Sequence, residues 1–106
     1  MKGQVAMLIG LGVAVATAAH AFGASATGVE IKDFRFAPVA LEIRPGTTVT
    51  WTNHDEEPHT ISSTTGVFAS SGLGNDETFA QTFSRRGTYE YFCAFHPRMR
   101  ATVIVK

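Results

Sequence analysis

Short runs in which apolar and polar residues alternate with a period of two constrain this chain more than any other feature. They fall at 29–32, 41–44 and 48–52, and β-branched or aromatic runs of strand length follow at 79–83, 88–93 and 101–105. A period of two places alternate side chains on opposite faces of an extended segment, so each run reads as a strand with one wet face and one core face. Turn residues separate them: Pro45-Gly46, the stretch from Asp55 to Pro58, Ser71-Gly72 with Gly74-Asn75-Asp76, and Arg85-Arg86-Gly87. No segment after residue 27 carries a helical period, and no repeat is present. Short strands at this spacing predict an all-β fold, a β-sandwich, in a single domain.

The first residues do not fit that pattern. Met1-Lys2 is followed by an apolar, small-residue run from Val5 to Ala19 and then by Ala19-His20-Ala21, with Ala24-Ser25-Ala26 beyond it. A charged start, a short apolar stretch and an Ala-x-Ala exit describe a secretory signal peptide. A membrane span needs about 20 apolar residues, and polar Thr17 and His20 shorten this run. Residues 1–21 are therefore expected to be a signal peptide, with an alternative end at 26, and residues 27–106 the mature domain. The expected location is periplasmic, with no membrane span after cleavage.

A mature chain of roughly 80 residues has a thin core, and exported domains of that size usually add disulfides. Here there is one cysteine, which cannot form an internal bridge. A lone thiol in an oxidising compartment needs an occupant, and a bound metal would supply one together with folding free energy. Nine basic residues balance nine acidic ones, so nucleic-acid binding has no electrostatic support. Nothing points to an obligate interface, and a monomer is expected.

That cysteine stands in the segment Cys93-Ala94-Phe95-His96-Pro97-Arg98-Met99. A thiolate, an imidazole and a thioether at this spacing make a soft donor set that suits copper better than hard cations. Strand alternation in 88–93 groups Tyr89, Tyr91 and Cys93 on the face opposite Glu90, so Cys93 points inward. The same count in 48–53 puts Val49, Trp51 and Asn53 on the core side, and an inward Asn53 requires a hydrogen-bond partner. Four histidines compete for a further ligand position. His20 leaves with the signal, and His54 faces outward beside Asp55. His59 opens a predicted strand at 59–62 behind Pro58, which stiffens its approach.

One histidine from a distant strand combined with Cys-x₂-His-x₂-Met on a tight loop resembles the cupredoxins, the small blue-copper proteins, and the loop spacing is similar to that of the amicyanins. The resemblance runs over residues 28–106 and includes Ile31-Lys32-Asp33-Phe34, Pro45 to Asn53, Pro58-His59-Thr60, Gly87 to Cys93 and the loop through Met99. It implies a Greek-key sandwich holding one copper ion, with His59, Cys93 and His96 as in-plane ligands and Met99 as the axial one. It further implies that Asn53 ties the His59 strand to the Cys93 loop by hydrogen bonding. Single-electron transfer with redox partner proteins docking near His96, and no enzymatic reaction, are implied as well. A copper carrier or delivery protein using the same donors is the alternative. Glu57 and Arg98 place charges where amicyanins have apolar docking groups. The charges of Asp55-Glu56-Glu57, Arg98 and Arg100 read as a solvated rim.

Cys93, His59 and Asn53 are also the residue types of a papain-like site. A thiol turned into the core of a domain this small gives no nucleophile geometry. Cys-x-x-Cys-His is absent, which excludes the usual c-type haem attachment. Zinc rarely recruits methionine, and copper outcompetes it at equal ligands.

Overall fold

The computed structural model describes residues 26–106; the expected signal peptide at 1–21 lies outside the described residues. The chain runs through β1 (Ala26–Lys32), β2 (Arg35–Ala37), β3 (Ala40–Ile43), β4 (Thr47–Asn53), β5 (Ser62–Ser63), β6 (Thr78–Phe83), β7 (Gly87–Phe92) and β8 (Arg100–Val105). One sheet has the order β2-β1-β4-β6 and the other β3-β8-β7-β5. The pairs β1·β4 and β3·β8 are parallel and the remaining neighbours antiparallel. From β2 onward the chain repeatedly crosses between the sheets, giving the anticipated Greek-key β-sandwich.

Period-two alternation survives into the folded state. In β4, Thr47, Val49, Trp51 and Asn53 are buried, and in β8, Ala101, Val103 and Val105 are. Trp51 is fully buried at the centre of an aromatic cluster, with ring centroids 5.4 Å from Tyr91, 5.7 Å from Phe79 and 6.2 Å from Phe68. At the turn into β4, Gly46 has φ of 92°, a left-handed value that suits glycine at the third position of a type II turn behind Pro45. Thr47 N–H closes that turn on Arg44 O at 3.2 Å.

Two elements differ from expectation. Arg35–Ala37 forms a short strand not read from sequence, antiparallel to the end of β1, because it seats Phe36 in the core. Of the strand predicted at 59–62, His59 makes only an isolated bridge to Leu73, and Ser62 alone joins the two-residue β5, where it also bridges Ala69. Two of its backbone N–H groups are diverted to side chains: Thr60 N–H donates to Cys93 Sγ and Ile61 N–H to Ser70 Oγ. A ladder cannot propagate through donors spent in this way.

Candidate metal centre

The β7–β8 connection is drawn closed by three backbone hydrogen bonds. Cys93 N–H donates to Met99 O at 3.1 Å, His96 N–H to Cys93 O at 3.2 Å and Met99 N–H to His96 O at 2.8 Å. Two successive turns thus bring His96 back over Cys93 and bury Met99 at the base of the loop. The Cys93 Sγ lies 3.6 Å from His96 Nδ1 and 3.7 Å from His59 Nδ1. One donor atom from each of His59, Cys93 and His96 lies within 4.8 Å of the others, and no other such cluster of three His, Cys, Asp or Glu occurs among the described residues. An ion of the first transition row bonds nitrogen and sulfur at about 2.0–2.3 Å, so donors spread around it in a plane stand roughly 3.5–4 Å apart. The observed spacings fit, and thiolate with two imidazoles suits copper.

Cys93 and His59 are fully buried, whereas His96 is half-buried. His54 sits on the outside as expected, paired through Nε2 with Glu30 and 3.8 Å from Asp76.

His59 Nε2 lies 2.9 Å from Asp55 Oδ2. With the carboxylate accepting that N–H, the proton is fixed on Nε2 and the Nδ1 lone pair is left facing Cys93, the arrangement that orients a metal-binding histidine. Asp55 is therefore buried inside the site and is no part of a solvated rim, which corrects the expectation for that residue; Glu56 and Glu57 are exposed. The signal was available, since the count of two that turned Val49, Trp51 and Asn53 inward reaches Asp55 next.

Asn53 is fully buried, as anticipated, but its bonds run elsewhere. Its Nδ2 donates to Glu57 O and Leu73 O, each at 2.9 Å, and its Oδ1 accepts Asp55 N–H at 2.8 Å. It shapes the 53–59 loop and does not reach the Cys93 loop. Thr60 makes that tie: its N–H donates to Cys93 Sγ at 3.4 Å and its Oγ1 accepts Ala94 N–H at 2.7 Å. Thr60 directly follows His59, so the pair delivers a donor atom and a thiolate hydrogen bond from adjacent positions.

Burial acts to raise the Asp55 pKa, but the N–H groups of Phe34 and Asp33 and the His59 ring outweigh it and leave it below the ordinary 3.8. A carboxyl with a depressed folded-state pKa contributes stability above its unfolded pKa and loses it as pH falls through the folded value. Apoprotein stability should therefore keep falling as pH is lowered beneath about 3.8. Asp55→Asn, which cannot ionise, should lack that part of the loss; equal acid sensitivity in chemical denaturation at several pH values would contradict this.

A two-sheet sandwich that gathers a thiol and two imidazoles beneath the loop joining its last two strands defines a class, the small single-copper β-sandwich proteins. The model of the cupredoxin-like domain matches residues 5–105. Amicyanin of Paracoccus denitrificans is 32% identical over 83 residues, covering 74% of this chain and 63% of that protein, a little under two thirds of its length. A purple cupredoxin from Nitrosopumilus maritimus superposes with a TM-score of 0.70 at 35% identity, covering 76% of this chain and 99% of that one. An amicyanin variant solved in its Cu(I) form superposes with a TM-score of 0.73 at 30% identity, covering 76% and 82%. The chain belongs to the cupredoxin-like family.

Proposed function

We propose that this chain is a periplasmic blue-copper protein that carries single electrons between redox partners. The observation that carries the reading is the convergence of His59 Nδ1, Cys93 Sγ and His96 Nδ1 at one buried point with a single half-exposed imidazole. His59, Cys93 and His96 would hold the ion, and Met99, buried at the base of the same loop, would add a weaker thioether donor. Copper bound there would supply the Cu(I)/Cu(II) couple. The protein's part is to offer nearly the same geometry to both states. Loop hydrogen bonds hold Cys93, His96 and Met99 together, Asp55 fixes the His59 ring, and Thr60 N–H moderates the charge on the thiolate.

His96 supports an electron port, because it is the half-buried member of the trio and lines an open cleft with Phe34, itself 41% exposed. Exposed Arg98 and Arg100, together with exposed Glu56 and Glu57 in the loop before His59, supply charges of both signs. The lone cysteine and the signal-like residues 1–21 support export. Cleavage after Ala21 would leave β1 whole, whereas a cut after Ala26 would remove its first residue. Among the described residues no helix is long and apolar enough to cross a membrane. Nothing in the site activates water or substrate, so no reaction beyond electron transfer is proposed.

The mature protein loaded with copper(II) should show an intense visible thiolate-to-copper band. That band should bleach with ascorbate and return fully with ferricyanide over repeated cycles in the presence of a copper(I) chelator. No band would refute the copper reading. Passage of copper(I) to the chelator within one cycle would favour delivery over electron transfer.

A further inference from the structure

The β1–β2 turn approaches the site from outside the ligand segments. Asp33 and Phe34 have φ of 54° and 58°, consecutive left-handed conformations that are uncommon for residues other than glycine and least expected for a bulky aromatic. Their N–H groups converge on one carboxylate: Asp33 N–H donates to Asp55 Oδ1 at 2.7 Å and Phe34 N–H to Asp55 Oδ2 at 2.9 Å. Successive N–H groups directed at one anion are a recurrent means of holding such a backbone. That anion also accepts the His59 Nε2 proton.

The turn delivers the Phe34 ring onto both imidazoles. Its centroid lies 5.0 Å from that of His59 and 4.8 Å from that of His96, with interplanar angles of 86° and 84°. These are edge-to-face contacts of favourable separation. Beside it, Phe34, His96, Pro97, Arg98 and Met99 line an open cleft of about 440 Å³. Phe34 therefore stands between the cleft and the buried ring of His59. A side chain 41% exposed in a strained turn gains little from burial, so its own packing does not explain the conformation.

We infer that Phe34 is a positioning residue, a ring clamped by Asp55 across His59 and His96 that holds both imidazoles in orientation and shields the metal position from small ligands entering by the cleft. This rests on the reading of His59, Cys93 and His96 as copper ligands. The turn, the carboxylate and the ring act as one unit, because Asp55 orients His59 from one side and, through the backbone of Phe34, places the ring against it from another.

The test compares the parent protein with Phe34→Ala and Phe34→Tyr, the latter keeping the ring, and uses Phe34→Leu in place of alanine if that variant does not fold. In the metal-free proteins, nitrogen-15 NMR of the imidazoles should show the His59 and His96 signals shifted and broadened in Phe34→Ala and restored in Phe34→Tyr. In the copper(II) proteins titrated with sodium azide, Phe34→Ala should bind azide about two- to tenfold more tightly than the parent, the scale of one well-packed aromatic contact. Unchanged imidazole signals overturn the positioning role, and unchanged azide affinity overturns the shielding. If neither parent nor variants take up copper, the copper reading fails, while the metal-free NMR comparison still judges whether Phe34 positions the two rings.

Discussion

Cys93→Ser should abolish the intense visible absorption and most of the copper affinity, while Met99→Leu should keep the colour and raise the reduction potential. The asymmetry follows from where the two sulfurs stand. Cys93 Sγ is fully buried, 3.6–3.7 Å from both Nδ1 atoms, and takes a hydrogen bond from Thr60 N–H. A serine hydroxyl at that position is a harder donor on a shorter bond and is a poor match for copper(I). Met99 would contribute only a weak thioether bond, and leucine preserves its apolar volume in the core. Removing that bond withdraws electron density that stabilises the oxidised state. Visible spectroscopy and cyclic voltammetry of both variants check this, and equal loss of colour in the two would overturn the ligand assignment.

The largest expected effect on stability is at Trp51. Trp51→Ala should cost about 3–5 kcal/mol, because it opens a cavity among Phe68, Phe79, Phe83 and Tyr91 that rigid β-sheets cannot close. For a domain whose total stability is about 5–15 kcal/mol, this removes a large fraction and should lower the melting temperature by more than about 10 °C. Trp51→Phe should cost much less, about 1–2 kcal/mol, for a specific reason. Phenylalanine keeps an aromatic ring against Phe68, Phe79, Phe83 and Tyr91 and gives up only part of the buried area. Thermal unfolding of the apoproteins measures both, and equal losses for the two variants would show that ring packing at Trp51 does not dominate.

The core that Trp51 anchors was legible in the sequence, because β4 is paired along both edges, with β1 and β6, and its alternation is regular. The His59 segment was less so. His59-Thr60-Ile61-Ser62 has the composition of a strand, yet the N–H groups of Thr60 and Ile61 go to Cys93 Sγ and Ser70 Oγ, and side-chain acceptors from other segments have no signature in a local pattern. Asp55 was misplaced for a related reason. Three acidic residues in a row suggest a solvated turn, and composition there outweighed a count of two that pointed inward. The role given to Asn53 belongs to Thr60, since an inward amide near the site can serve its own loop as readily as a neighbouring one.

By itself the sequence determined the sandwich and singled out His59, Cys93 and His96 as residues that meet. Alternation with a period of two is a property of each strand alone, and Cys93, His96 and Met99 lie on one short loop whose chemistry depends on residue type and spacing. Only the tertiary structure decided how those donors are held. The bonds from Asp33 and Phe34 to Asp55 span 22 and 21 residues, and those joining Thr60 to Cys93 and Ala94 span 33 and 34. Which carboxylate meets His59, which N–H reaches the thiolate and which ring covers both imidazoles are set where segments of the two sheets meet, and packing across that distance leaves no periodic trace along the chain.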